Sequence, residues 1–136
     1  MSLREALASD RDAVVALWRA CGLTRPWNDA AADFDLALSS PSSTVLVAGS
    51  PIEGAVMVGF DGHRGWVYYL GVDPVRRRSG LGRRLMAAAE DWLRAHGAPK
   101  IQLMVRADNI AATAFHASLG LETQDVVVMG RRLDGE

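Results

Sequence analysis

A single α/β domain with a mixed β-sheet flanked by helices is the fold this sequence predicts, and three observations carry the prediction. Short β-like apolar runs gather around turn residues in the middle of the chain. A longer stretch, Leu81 to Trp92, repeats its apolar residues at helical spacing between two such runs. Hairpin-linked strands require antiparallel neighbours, whereas a strand–helix–strand crossover requires a parallel pair, so the sheet must hold both.

The elements follow in order. Leu3 to Leu7 reads as a first strand, and Ser9 or Asp10 caps a helix with Val14, Leu17, Trp18 and Cys21 on its apolar face. Gly22 stops that helix, and Pro26 disfavours helical geometry at Arg25. Asn28 caps a second helix, Ala30 to Leu38, and the Ser39 to Ser43 stretch with Pro41 is a loop. Runs Thr44 to Ala48 and Ala55 to Phe60 surround a Gly49-Ser50-Pro51 turn, and Asp61-Gly62 is a hairpin signal into Trp66 to Val72. Leu81, Leu85, Ala88, Ala89 and Trp92 form the face of the long helix, which Gly97 and Pro99 end. Ile101 to Val105 is a strand. Asn109 caps a helix holding Ala112, Phe115 and Leu119, Gly120 closes it, and Val126 to Met129 centre a last strand. The expected order is β-α-α-β-β-β-α-β-α-β over residues 1–136, without repeats or a linker.

Composition narrows the partners. A chain of 136 residues with 49% hydrophobic content suits one domain with one core and argues against wholesale disorder. The net charge of -1 gives no global reason to expect nucleic acid or anionic lipid, although Arg76, Arg77, Arg78, Arg83 and Arg84 form a local cluster. Cys21 is the only cysteine, which excludes an intrachain disulfide and a cysteine-rich zinc site, and no histidine pair has metal spacing. His63 and His96 read as turn and helix-end residues. No signal-peptide pattern opens the chain and no apolar run approaches the roughly 20 residues of a membrane span, so the cytoplasm is the expected location.

The chemistry-bearing stretch is Val72-Asp73-Pro74-Val75-Arg76-Arg77-Arg78-Ser79-Gly80-Leu81-Gly82, between a strand and the long helix. A glycine-bearing turn into a helix exposes backbone N–H groups at the positive end of the helix dipole, which suits a pyrophosphate. The dinucleotide fingerprint needs a third glycine where this chain has Leu85, and the nucleoside-triphosphate loop needs a Gly-Lys pair that is absent. Arg77-x-x-Gly80-x-Gly82 remains.

That pattern resembles the acyl-CoA loop of the GNAT superfamily of N-acetyltransferases, Arg/Gln-x-x-Gly-x-Gly/Ala between its fourth strand and third helix. Asn109-x-x-Ala112-x-x-Phe115-His116-x-x-Leu119-Gly120-Leu121 is similar to the helix that follows in the same superfamily. The matched span, Trp66 to Leu121, covers 56 of 136 residues. The Cys21 to Asp29 stretch further resembles a small bacterial branch called YpeA-like.

The resemblance implies acetyl-CoA as the acyl donor and an amine as the acceptor, with the strand Trp66 to Val72 splaying from Ile101 to Val105 to leave a slot. Main-chain groups near Leu70 and Val72 would pair with the pantetheine arm. Backbone amides from Arg77 through Arg78, Ser79, Gly80, Leu81 and Gly82 to Arg83 would hold the pyrophosphate. Asn109 would lie near the pantetheine and Phe115 beneath the cofactor, while Arg25 and Trp27 would line the acceptor side. An N–H near Val72 would serve the oxyanion.

His116 stands where relatives carry a tyrosine that protonates the departing thiolate, and it is the candidate acid; a packing role is its alternative. Trp66 to Val72 holds no carboxylate, so the base is open between Glu53, a tyrosine acting through water, and solvent. Tyr68 and Tyr69, alternating along the strand, should point to opposite faces. Room for one strand after Gly120 leaves a sheet edge that a second copy could pair, giving a homodimer. The acceptor is a small-molecule amine in the first reading and a protein N-terminus or lysine in the second; a non-catalytic acyl-CoA sensor is the third.

Overall fold

Strands buried on both faces form the middle of the sheet, because helices cover both of its sides. The computed structural model describes residues 2–135. The chain divides into two compact units, one ending at Met104 and the other beginning at Val105.

The first unit holds β1 (Leu3–Glu5), α1 (Arg11–Ala20), α2 (Ala30–Ser39), β2 (Ser43–Ala48), β3 (Gly54–Phe60), β4 (Gly65–Val72), α3 (Leu81–Ala95) and β5 (Ile101–Leu103). Short 3₁₀ turns, Ala8–Asp10 and Pro74–Arg76, follow β1 and β4. Sheet order matches chain order, with β1 to β4 antiparallel to their neighbours and β5 parallel to β4. The mixed sheet required by the hairpins and the crossover is therefore present.

Side-chain alternation sorts the packing. Val45, Val47 and Ala55 meet Val14, Leu17, Trp18 and Phe34 of α1 and α2 in one buried cluster. On the other face, β3 and β4 lie so close to α3 that a Cβ at Gly54 would strike Leu85 and one at Gly65 would strike Leu93. Trp18 and Phe34 are fully buried and meet edge to face at 6.4 Å.

Both helices start where the sequence places them, α1 after Asp10 and α2 at Ala30, and one cap differs. Asp10 ends the first 3₁₀ turn, and its carboxylate accepts the Leu7 N–H at 2.7 Å and pairs with Arg4 at 2.8 Å. Asp29, rather than Asn28, caps α2 by accepting the Ala32 N–H at 3.1 Å, where a full negative charge also suits the helix dipole. Asp61 builds the β3–β4 turn by accepting from His63 and Arg64 N–H, each at 2.8 Å.

The second unit contains α4 (Ile110–Ser118), capped by Asn109 as its sequence indicates. The expected last strand, Val126 to Met129, does not form, and all four residues are exposed. A strand exists only through hydrogen bonds to a neighbour, so β-branched residues alone do not make one.

Candidate active site

The site begins where β4 runs past its neighbour. Pairing with β5 covers Gly65, Trp66 and Val67, while β4 itself continues to Val72. Its other edge stays on β3, ending with Asp73 N–H donating to Glu53 O at 2.8 Å. Successive residues of a regular strand turn their main-chain groups to opposite edges, so Val72, next to Asp73, directs its N–H and C=O away from β3. Cys21 occupies one of them, its Sγ lying 3.3 Å from Val72 O as a weak donor. This approach needs Gly71, where a Cβ would stand only 3.2 Å from Cys21 Sγ and from Leu23 Cδ1. The Val72 N–H points along the same edge.

A bulge in the same segment overturns the expected alternation of Tyr68 and Tyr69. Tyr68 pairs with Met57 and Gly71 with Ala55, so two residues of β4 oppose Val56 alone. Tyr69 has a positive φ of 57°. Gly65 and Val67 face α3, but beyond the bulge Gly71 faces Trp18 and Cys21. Both tyrosines consequently lie on the α1–α2 face: Tyr69 stacks on Trp18 at 4.3 Å, and Tyr68 shares the side of its cross-strand partner Met57.

The loop between β4 and α3 is anchored before it opens. Asp73 Oδ1 accepts the Val75 N–H at 3.0 Å, and Arg76 Nε donates to the Glu53 carboxylate. Glu53, one of the three candidates for the base, is thus engaged in holding the loop. The Arg77 and Ser79 N–H groups bond back to Pro74 O and Arg76 O at 3.4 and 3.3 Å. Arg78 and Gly80 both take positive φ, 67° and 85°, a backbone geometry that lets neighbouring N–H groups converge on an anion. Gly80 is the α3 N-cap and has no side chain to cap the helix. The first helical bond is Arg84 N–H to Gly80 O at 3.1 Å, so the Leu81, Gly82 and Arg83 N–H groups precede the ladder. The Leu81 side chain is buried in the core, leaving its N–H as its contribution to the site. Arg77, Arg78 and Arg83 are exposed around this opening.

On the loop between α1 and α2, Arg25 donates to Gly22 O at 2.8 Å and Thr24 O at 2.9 Å, fastening the chain after α1. Trp27 is 57% exposed. In the second unit, Asn109 Oδ1 accepts the Ala112 N–H at 3.0 Å, the capping role that its residue type favours. Phe115 and His116 are half-buried and meet edge to face at 5.0 Å. His116 Nδ1 is buried without a partner among the described residues, and burial lowers the imidazole pKa.

Sequence reasoning located the loop but missed the bulge and the Tyr69–Asp33 hydrogen bond at 2.8 Å. The small residue Gly71, in a strand otherwise rich in large ones, was the available signal for the close approach of α1.

Comparison with known proteins agrees with this arrangement. The sequence profile described as the acetyltransferase (GNAT) family matches residues 8–121. An acetyltransferase of Yersinia enterocolitica is 43% identical over 98% of this chain and 96% of its own length. Among solved structures, an aminoglycoside 6′-N-acetyltransferase from Acinetobacter haemolyticus superposes with a TM-score of 0.79 at 22% identity, covering 98% of this chain and 100% of that one. A second aminoglycoside acetyltransferase, bound to a CoA-containing bisubstrate analogue, gives a TM-score of 0.82 at 17% identity, covering 96% and 97%. The last two matches speak to the fold, and the first two, each spanning most of the chain, to its kinship. The chain belongs to the GNAT family of acetyltransferases.

Proposed function

We propose that the protein transfers an acetyl group from acetyl-CoA to a primary amine of a small molecule. The observation that carries this reading is the open α3 N-terminus at Gly80, which follows the stretch of β4 that runs beyond its pairing with β5. A pyrophosphate suits the first, through the N–H groups of Gly80, Leu81, Gly82 and Arg83. An extended pantetheine arm suits the second, through Leu70 and Val72. The two units act as one acetyltransferase domain in this reading, since the family match runs across both.

The neutral amine nitrogen attacks the thioester carbonyl and releases one of its protons to water, the Val72 N–H receives the developing oxyanion, and the C–S bond breaks to leave a thiolate that takes a proton. The named CoA ligand and aminoglycoside chemistry of the two structural relatives support the donor and favour a small acceptor. The decisive assay follows free thiol released from acetyl-CoA with a panel of aminoglycosides, polyamines, amino acid amides and short peptides. Amine-dependent release with a small molecule supports the proposal. Release with peptides alone moves the acceptor to protein, and binding without any release leaves a sensor.

Trp27 and Arg25 form the acceptor side of this site. Trp27→Ala is expected to raise the acceptor KM about tenfold, with acetyl-CoA affinity within about twofold of wild type. A lower melting temperature with unchanged kinetics would make Trp27 structural.

His116 is assigned the thiolate proton on its place in the Asn109–Leu121 motif. Because burial lowers its pKa, the charged, proton-giving form is lost as pH rises through a value below the ordinary one of about 6.5. The acceptor amine, in contrast, becomes neutral as pH rises. His116→Phe should therefore reduce kcat most at the acid end, by roughly tenfold or more, and converge on wild type at about pH 9. His116→Tyr should recover part of the rate. Equal kcat for wild type and His116→Phe throughout would leave the proton to water.

A further inference from the structure

We propose that Tyr69 and Asp33 are positioning residues for acetyl transfer: their hydrogen bond latches the β4 bulge and thereby sets which main-chain groups face the acyl-CoA slot. The inference rests on the proposed use of the β4 edge by acyl-CoA.

The starting observation is strain. A bulky L-residue avoids positive φ, yet Tyr69 holds 57° in a strand buried beneath helices. Such a conformation persists only where its surroundings over-determine it. Two contacts do so here. The Tyr69 hydroxyl donates to Asp33 Oδ2 at 2.8 Å, and the ring lies on Trp18 at 4.3 Å with an interplanar angle of 17°. Trp18 is itself fully buried. Asp33 sits in the first turn of α2, where the helix dipole favours its charge, and its own N–H donates to Asp29 O at 2.9 Å. Burial, with the Asp33 carboxylate, holds the Tyr69 hydroxyl well above its usual titration range, so it remains a donor.

The latch matters because of register. The bulge spends one extra residue opposite Val56, and every residue after it is shifted by one relative to a regular ladder. In the observed register Asp73 donates to Glu53 O, which leaves the Val72 N–H on the open edge. Without the extra residue, the parity of β4 would reverse: the Val72 N–H would turn toward β3 and its side chain toward α1. The thioester would lose its donor although the loop that binds pyrophosphate stayed intact.

The test separates the hydroxyl, the charge and the ring. Tyr69→Phe keeps the stack on Trp18 and removes the hydrogen bond; Asp33→Asn keeps an acceptor oxygen and removes the charge; Asp33→Ala removes both. With the panel amine that wild type turns over fastest, kcat is expected to fall about tenfold in Tyr69→Phe and in Asp33→Ala, no further in the double variant, and much less in Asp33→Asn. Acetyl-CoA affinity by calorimetry should stay within about threefold. Wild-type kcat in folded Tyr69→Phe, additive losses in the double variant, or an Asp33→Asn as slow as Asp33→Ala would each overturn the latch. Amide NMR signals of Leu70 and Val72 are recorded while acetyl-CoA is added to wild type. If they do not move, the slot reading fails and the latch falls with it; if they move and Tyr69→Phe keeps its kcat, the latch alone fails.

Discussion

Replacing Gly80 with valine should lower acetyl-CoA affinity by roughly tenfold or more, about 1.4 kcal/mol for each factor of ten, while the protein still folds. Gly80 has a φ of 85°, and a Cβ there would meet no protein atom within 4 Å. The added side chain therefore strains the backbone and occupies the space through which an anion reaches the first N–H groups of α3. A β-branched residue at positive φ is disfavoured by about 1–2 kcal/mol whatever surrounds it. Gly97→Val is the matched control, because Gly97 has nearly the same φ, 84°, and similarly open surroundings at the far end of the same helix. Both variants should lose similar stability, and Gly80→Val alone should lose affinity. Arg77→Ala should weaken binding only about threefold, and less at high salt, because an exposed charge is screened whereas the N–H groups are fixed. A folded Gly80→Val that binds as wild type would remove the loop from the account.

Trp18→Ala should be the most damaging single change to stability, at about 3–5 kcal/mol. The side chain is fully buried, edge to face with Phe34 and stacked on Tyr69. Its Nε1 has no hydrogen-bond partner among the described residues, so the loss is one of packing and cavity formation rather than of a polar contact. Trp18→Phe should recover roughly half of it, since an aromatic ring still fills most of the space. Chemical denaturation monitored by circular dichroism checks both. A loss below about 1 kcal/mol in Trp18→Ala would contradict the core described here.

Local rules reached far into this fold because most of its elements have local causes. Asn109 caps α4, Gly22 and Gly97 take the positive φ expected after α1 and α3, and Asp61-Gly62 turns β3 into β4. The loop into α3 was legible for the same reason: Gly80 stands where the backbone takes a φ of 85°. The bulge was not legible. Nothing in the Tyr68-Tyr69-Leu70 segment favours positive φ; Trp18 and Asp33, distant in sequence, impose it. Val126 to Met129 failed in the opposite direction, since β-branched composition cannot supply the neighbouring strand that a ladder needs.

The most direct measurement is a crystal structure with acetyl-CoA bound. Pyrophosphate oxygens should lie about 3 Å from the N–H nitrogens of Gly80, Leu81, Gly82 or Arg83, with the pantetheine arm running beside Leu70 and Val72 and the thioester oxygen directed at the Val72 N–H. A pyrophosphate held elsewhere, with the first turn of α3 free of ligand, would contradict the assignment of this opening as the acyl-CoA site.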